Sequence, residues 1–335
     1  MQTFTYQPSF TARRVTHRPD FQSYLERSQF DPFTLNLKGK TLMEVIEAAI
    51  QAKSKRSPNY RKQPSCLINN LKELERVYHT TLKPIQVTDI FWDYFVSFCD
   101  ERGLKASTTL TMVNQLRSVL NWAVKYNAEI SPTFGDAKVR TPHSQQIALT
   151  ADEVSRIKYF DIDRFYSNRR SDFREKMHRV RDMFLLSVAL FQRHSDMVRI
   201  SKSCFDRNIF KITQQKTGSL AVVNIDKFSC DPKSAYEILE RYNYEAPYKG
   251  EISNYNHALH ALMKDIGFTE PIRIEEWHGG QMVAKDVPKW KLIASHTARR
   301  TAITIAVLRG HNIHSVRRAS GHKDLRSLDK YIRDE

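Results

Sequence analysis

Apolar residues recur at helical spacing through most of this chain. In residues 41–53 they fall at i, i+3, i+4 and i+7, on one face of a helix, at Leu42, Val45, Ile46 and Ala49. The same periodicity predicts three more helices in the first half, at 65–80, 88–102 and 107–128. Cap residues support the last two, because Val87-Thr88-Asp89 supplies a cap for one, and Ser107 and Thr108 are candidates for the other.

The second half mixes helices with short strands. Thr150 and Glu153 form a capping box that opens a helix, and a strongly apolar helix follows at 172–191. Two hairpins are predicted, at 209–225 with a turn at Lys216-Thr217-Gly218 and at 272–287 with a turn at His278-Gly279-Gly280. Further helices are predicted at 232–243, 253–266, 295–309, 312–319 and 323–334. The pattern predicts an α+β fold, mainly helical with small β-hairpins.

Breaks in this pattern divide the chain into four stretches. Residues 1–55 begin as an irregular arm, and residues 56–135 form a small helical domain. Residues 136–147 are polar and aperiodic, as a linker is. Residues 148–335 form the mixed domain, and no internal repeat or low-complexity tract interrupts them.

Charge narrows the class of partner. The net charge is +16, and both halves are basic, so the excess is not confined to a tail. Lysine and arginine displace counterions from phosphates, which fits a nucleic-acid partner, although many proteins carry a basic excess for solubility alone. The four cysteines lack zinc-ligand spacing and are expected to be neutral thiols. No apolar run spans a membrane and no secretory signal opens the chain, so we expect a cytoplasmic protein with no membrane partner.

The strongest chemical signal is the run Ser-His-Thr-Ala-Arg-Arg-Thr at residues 295–301. His296 and Arg299 are spaced i, i+3 near the start of a helix, and so share one face. Together with the helix N-terminus they would clamp a phosphate. The alternative is a solvated basic first turn. Downstream, Gly321 ends a helix and places His322 at the next one, and Tyr331 follows nine residues later.

Two upstream positions add to this series. Arg193 directly follows the apolar helix, and Asp196 could orient it by a salt bridge. Lys216 stands at the tip of the first hairpin, where it could reach into a groove. Each of these residues alone is better explained as a surface ion pair, a solvated turn lysine, a capping histidine or a packing tyrosine. Their order along the chain is the stronger argument.

That order resembles the active-site series of the tyrosine recombinase (phage integrase) family. The series here is Arg193, Lys216, His296, Arg299, His322 and Tyr331, and the resemblance covers residues 148–333. The helical stretch 60–130 resembles the core-binding domain that precedes the catalytic domain in the family. The wording around Arg193 and the second hairpin look like integrases of mobile elements in Bacteroides-like bacteria. The resemblance implies a site-specific recombinase of the bacterial cytoplasm or nucleoid that integrates, excises or inverts DNA.

The resemblance also implies a role for each residue. The two arginines would hold the scissile phosphate, the two histidines would add hydrogen bonds and help move protons, and Lys216 would protonate the leaving 5′-oxygen. Tyr331 would attack to give a 3′-phosphotyrosine, and a Holliday junction would follow. Such chemistry relies on positioning and fixed positive charge, so we expect no cofactor, metal or ATP. The sequence has no phosphate-binding G-x-x-x-x-G-K-[S/T] loop.

The implied partners are double-stranded target sites, a homotetramer on DNA and, in some systems, accessory DNA-bending proteins. Further DNA contacts are predicted at Arg300, Lys323, Arg117 and Lys125. Two departures from the family are visible. Gln192 stands where glycine is common before the first arginine, and only four residues follow Tyr331, which leaves open how protomers link. A topoisomerase of the same chemistry and a catalytically silent DNA-binding regulator remain the alternatives.

Overall fold

The computed structural model describes residues 35–54, 64–137, 139 and 147–325, together with Leu328. The chain separates into two compact units. One comprises Met1–His143 with Glu276–Val283, and the other comprises Ser144–Glu275 with Ala284–Glu335. The predicted arm at residues 1–34 lies outside the described residues.

Four α-helices lie in the described part of the first unit. They are α1 (Leu42–Ser54), α2 (Ser65–Val77), α3 (Asp89–Glu101) and α4 (Ala106–Ala123). The four apolar residues predicted on one face of α1 are fully buried, so the stretch assigned to an arm contributes a helix to this core. Trp92 is the largest fully buried side chain here, and its Nε1 donates a hydrogen bond to the carbonyl oxygen of Phe134 at 2.9 Å.

The segment after α4 stays with the first unit. The guanidinium of Arg117 donates to the carbonyl oxygens of Gly135 and of Ala137, the latter at 3.1 Å. The backbone N–H of Asp89 donates to Thr133 Oγ1 at 3.3 Å. The Arg117 side chain therefore fastens Ala137, at the start of the polar stretch predicted as a linker, to the helical core.

The rest of the described chain forms nine helices and five strands. In chain order they are α5 (Ala151–Tyr159), α6 (Ile162–Phe165), α7 (Ser171–Leu190), α8 (His194–Met197), β1 (Phe205–Asp206), β2 (Ile209–Thr213), β3 (Leu220–Asn224), α9 (Ile225–Phe228), α10 (Pro232–Arg241), α11 (Ile252–Ile266), β4 (Pro271–His278), β5 (Gln281–Pro288), α12 (Ser295–Leu308) and α13 (Ile313–Ser320). The α+β class predicted from the sequence is confirmed.

Helix α7 is the centre of the second unit. Its last nine residues are all buried, and α10, α11 and α12 pack around it. This explains why the end of α7 reads as an apolar run without a clear period, because a helix surrounded on all sides needs no polar face. The chain leaves α7 in the middle of the core, which is where the site begins.

Strands β1, β2 and β3 form an antiparallel sheet beside this core. Phe210 pairs with Val223 and Ile212 with Ala221, and all four side chains are buried on one face. The strands β2 and β3 and the turn between them match the first predicted hairpin. The second hairpin, β4–β5, turns at Gly279-Gly280, where both φ angles are positive (52° and 71°), as a tight two-residue turn requires.

Helix caps were predicted with mixed success. Thr88 accepts from the backbone N–H of Phe91, and Thr150 with Glu153 forms the predicted capping box. The cap predicted for α4 is wrong. That helix begins at Ala106, and the Thr108 N–H already donates to Lys105 O at 2.8 Å, so Ser107 and Thr108 lie within the first turn. The N-cap residue of α4 is Lys105, whose side chain makes no capping hydrogen bond.

The end of the chain is described only in part. Residues 323–325 form a bend, and the rest of the helix predicted at 323–334 lies outside the described residues apart from Leu328, which is buried. Across the described ranges, no helix is both long and apolar enough to cross a membrane.

Candidate active site

Arg193 is placed by a reversal of the chain at the end of α7. Phe191 adopts the left-handed conformation (φ 61°), which ends the helix and turns the backbone towards α8. Arg193 is the second residue after Phe191 and directly precedes α8. Its side chain is half-buried, and Nη1 donates to Gln214 Oε1 at 2.8 Å.

Arg299 is a fully buried cation in the second turn of α12. Its Nη1 donates to the carbonyl oxygen of Phe191 at 2.9 Å, and its Nη2 lies 3.2 Å from His322 Nε2. Burying a guanidinium is costly unless hydrogen bonds or opposite charges hold it. The left-handed turn at Phe191 supplies one of those bonds, so the turn that exposes Arg193 also anchors Arg299.

His322 is held in one tautomer by its surroundings. Gly321 ends α13 in the left-handed conformation, and His322 Nδ1 lies 2.8 Å from Ser320 Oγ. Because that hydroxyl donates its own hydrogen to Val316 O at 2.7 Å, it accepts from Nδ1–H. The lone pair of Nε2 then faces Arg299. Burial, followed by the charges of Arg299 and Arg193, lowers the pKa of His322 to about 3, so the ring is neutral.

His296 stands at the rim of the same cluster. Loss of surrounding water lowers its pKa to about 4, with further lowering by Arg300, Arg299, Arg193 and Lys216 in that order. The ring is nevertheless exposed at the surface. The cationic surroundings are therefore the part of this shift that a bound anion would reverse.

Lys216 lies at the exposed tip of the β2–β3 turn. Gly218 has a φ of 66°, and its N–H donates to Gln214 O at 2.9 Å, which closes the turn. The ammonium group is near enough to lower the pKa of His296. Five of the six residues in the predicted series thus meet in the second unit, and the sixth, Tyr331, lies outside the described residues.

The predicted salt bridge between Asp196 and Arg193 is wrong. Asp196 is fully buried, and its Oδ1 accepts from the backbone N–H of Gln215 at 2.8 Å and lies 3.5 Å from Arg199 Nη1. The carboxylate at i+3 from Arg193 faces the hairpin instead, because α8 turns it inward. Asp196 therefore fixes the base of the β2–β3 turn.

Sequence reasoning missed two buried glutamines. Gln192 and Gln214 are 0% and 1% exposed, and their side chains join directly, with Gln214 Nε2 donating to Gln192 Oε1 at 2.8 Å. The side chain of Gln192, at a position where glycine is common in the family, is therefore part of a buried hydrogen-bonded pair. A signal for Gln214 was present, because strand alternation places it on the same face as the buried Phe210 and Ile212.

The four predicted DNA-contacting side chains differ in their surroundings. Arg300 is half-buried and donates to Ile147 O at 3.0 Å, and Arg117 bonds to the carbonyls described above. Lys125 and Lys323 are exposed. Contact with DNA stays a prediction for all four, with the exposed lysines better placed than the arginines.

A basic groove of about 560 Å³ adjoins His322. It is lined by Ser219, Leu220, His314, Ser315, Arg317, Arg318, Gly321, His322 and Lys323. No carboxylate is among these residues, so the groove favours an anion. Within the described ranges, no three histidine, cysteine or carboxylate side chains are grouped as a metal site requires.

The arrangement can be compared with solved structures. A lambda integrase fragment, crystallised as a dimer bound to a core site, matches with a TM-score of 0.59 over 88% of this chain and 96% of that one, at 15% identity. The Tn1549 transposon integrase bound to transposon right-end DNA matches with a TM-score of 0.59 over 88% and 95%, at 12% identity. The chain has the tyrosine-recombinase fold. Lambda integrase captured as a tetramer on a Holliday junction shares this recombinase fold, with a TM-score of 0.56 over 94% and 81%, at 13% identity.

These likenesses reach the fold and stop there. No family model matches the sequence, and no curated protein matches it. At such low identity, the recombinase fold says how the chain is built, and the side chains must supply the argument for what it does.

Proposed function

We propose that this protein is a site-specific DNA recombinase that cleaves and rejoins strands through Tyr331. The observation that carries the proposal is the meeting of Arg193, Arg299, His296 and His322 in one cationic cluster, with Lys216 at its edge. Two arginines are fixed positive donors for the charge that spreads over a phosphoryl group in transfer, and the two neutral histidines beside them can take up a proton. The recombinase fold supports the same conclusion.

The proposed step is an exchange at phosphorus. The Tyr331 oxygen attacks and forms a bond to phosphorus, its proton passes to one of the two neutral histidines, and the bond to the 5′-oxygen breaks. Lys216 supplies the proton that this leaving oxygen takes up. Return of a 5′-hydroxyl reverses the step and reseals the strand, so the phosphotyrosine conserves the bond and no nucleotide hydrolysis is needed.

The neutral state of the histidines suits this step. Both pKa values are lowered by burial and by neighbouring cations, so each ring is uncharged at neutral pH. An entering phosphate brings negative charge and raises these pKa values towards the ordinary range. Either ring can then accept a proton during the reaction that it could not hold in the free protein.

We extend the proposal to the DNA partner and to the oligomeric state on DNA. The helical first unit would bind the core site as a core-binding domain, and the second unit would act as the catalytic domain. Exchange between two duplexes would need a tetramer. Integration or excision of a mobile element is the biological event that this activity would serve.

Covalent capture tests the proposal. Wild-type protein is incubated with a randomised library of nicked duplexes, and adducts are isolated on a denaturing gel and sequenced. We expect an adduct from wild type, none from Tyr331→Phe, and an undiminished adduct from Tyr159→Phe, a matched change at an exposed tyrosine. An equal adduct from Tyr331→Phe would refute the nucleophile.

The same experiment separates the alternatives. Tight, selective binding without any adduct from wild type would indicate a DNA-binding regulator. Relaxation of supercoiled plasmids that lack every selected site would indicate a topoisomerase. Joined products between two selected sites would support the recombinase.

A further inference from the structure

We propose that Gln214 is a positioning residue that holds Arg193, the Lys216 turn and the His322 turn in one arrangement, with Gln192 as its support. This inference rests on the proposed function, because it concerns how that site is kept in register. Gln214 is not part of the series that pointed to the site.

Gln214 makes four side-chain hydrogen bonds from a buried position. Its Oε1 accepts from Arg193 Nη1 at 2.8 Å and from Thr217 Oγ1 at 3.1 Å. Its Nε2 donates to Ser320 O at 2.7 Å and to Gln192 Oε1 at 2.8 Å. One amide group therefore joins three separate segments of the chain.

Each of these segments carries a residue of the site. Arg193 is bonded directly, Thr217 is the neighbour of Lys216, and Ser320 lies two residues before His322. The partners are 21 and 106 residues away along the chain from Gln214, so no local element could hold them together. The amide replaces what a single helix or strand would otherwise provide.

Gln192 supports Gln214 from the other side of this hydrogen-bonded cluster. Its Nε2 donates to Leu190 O at 2.7 Å and to Ala319 O at 3.2 Å, which ties the end of α7 to α13. Its Oε1 is left to accept from Gln214. All the polar atoms of this buried pair are bonded, which is the condition under which a buried polar network orders a structure.

The chemical identity of Gln214 matters as much as its position. Its oxygen faces two donors and its nitrogen faces two acceptors, so the amide has only one satisfactory orientation. A neutral oxygen also orients Arg193 without cancelling its charge, which stays available for a phosphate. A carboxylate in its place would pair with the arginine and would turn an acceptor towards Ser320 O.

The carboxylate three residues after Arg193 faces other partners. Asp196 accepts from the Gln215 N–H and lies by Arg199, so it fastens the same turn without facing the phosphate-binding arginine. The turn is thus held by a charged group on one side and by the neutral Gln214 on the other. This division is the feature that a positioning role explains and that simple core packing does not.

The first test uses the near-isosteric Gln214→Glu in single-turnover adduct formation at saturating DNA. We expect a rate about 100-fold below wild type at about pH 8, with DNA affinity within about threefold. Because the carboxylate would pair with Arg193 among several cations, it should stay ionised in this range, so the loss of rate should persist from pH 8 to pH 5. Gln215→Met, a change at the adjacent exposed side chain, should follow wild type at every pH.

The second test does not depend on cleavage. Amide hydrogen exchange is measured in wild type and in Gln214→Met, which keeps the volume but removes all four bonds. We expect faster exchange at residues 215–219 and 320–322, with α7 and α12 unchanged. Gln215→Met again serves as the matched control.

Every outcome decides between the ideas. Rates equal to wild type for Gln214→Glu at every pH, or a loss of DNA affinity as large as the loss of rate, would overturn the positioning role. If wild type forms no adduct, the proposed function fails, and amide hydrogen exchange alone tests the positioning role of Gln214. Equal exchange in wild type and Gln214→Met would then reject it, and faster exchange at both turns would support it.

Discussion

Two left-handed residues frame the candidate site, and they are of opposite kinds. Phe191 is bulky and buried, and its strained φ of 61° turns a carbonyl towards Arg299. Such strain costs on the order of 1 kcal/mol and persists only where surrounding contacts enforce it. Gly321 takes a similar φ without strain, but the amide of Gln214 fills the space where a side chain would begin.

Replacing Gly321 tests that close packing. A Cβ at this position would lie 2.6 Å from Gln214 Cδ, at a φ of 66°. We expect Gly321→Ala to lower the free energy of unfolding by about 2 kcal/mol or more, through backbone strain and the collision together. Gly310→Ala is the matched control, because its φ is 75° but nothing lies within 4 Å of the added atom. Equal losses of unfolding free energy for the two variants in chemical denaturation would show that the Gln214 side chain moves aside at little cost.

The neutral His322 predicts a pH dependence of stability. Below its ordinary pKa of 6.5, the unfolded chain takes up a proton that the folded site refuses, since the folded pKa is about 3. Stability is therefore lost as the pH falls from 7 towards 4. Between pH 7 and 5, wild type should lose about 1 kcal/mol more than His322→Asn, after allowance for solvent screening. Urea titrations at both pH values measure it, and parallel losses would contradict it.

At the scale of elements, α7 connects the parts of the second unit. Its apolar end forms the wall behind Arg193 and Arg299, and its buried Asp182 binds the neighbouring α10. Oδ1 of Asp182 accepts from Arg181 Nε at 3.0 Å, and Oδ2 accepts from Arg241 Nη1 at 2.7 Å and from Tyr242 OH at 3.0 Å. A buried carboxylate with this many donors is fully paired.

Removing that carboxylate should be costly. Asp182→Ala leaves the mostly buried Arg181 without its carboxylate partner, so we expect a loss of about 3 kcal/mol in the free energy of unfolding. Asp172→Ala changes an exposed acid in the same helix, paired with an exposed arginine, and should cost under about 0.5 kcal/mol. Thermal and urea unfolding compare the two. A small effect at Asp182 would mean that the helices are held by apolar packing alone.

For the whole molecule, charge is the dominant property. A net charge of +16 attracts polyanions at low salt, so the proposed recombinase would bind DNA under those conditions whatever its sequence. Specificity must then come from base contacts or DNA shape, which add to that background. The candidate site has the same character on a smaller scale, since cations surround both histidines.

Binding to DNA should therefore depend steeply on salt. We expect affinity for a non-specific duplex to fall about 1,000-fold between 50 and 200 mM monovalent salt, as counterion release by several phosphate contacts predicts. Fluorescence anisotropy measures the slope, with an uncharged osmolyte at equal osmolality as the control. A slope near zero would remove the electrostatic part of the proposed function.

Prediction from sequence succeeded where the information is local. The helical periodicity of α1, the capping box at Thr150 and the Gly-Gly turn of the second hairpin each depend on a few neighbouring residues, and each is confirmed. The cap of α4 was placed too late, because several hydroxyl residues in succession offered equivalent starts. Alternation in β2 could have marked Gln214 as inward, but alternation does not name a partner.

The sequence by itself determined the order of the chemical residues, the basic charge and the mainly helical class, because these depend on composition and short-range periodicity. Only the tertiary structure decided which groups pair. In the folded chain Asp196 bonds to the hairpin and not to Arg193, His322 lies against Arg299, and Gln192 is hydrogen-bonded to Gln214. Hydrogen bonds between separate segments depend on how the elements pack, and no local pattern records that packing.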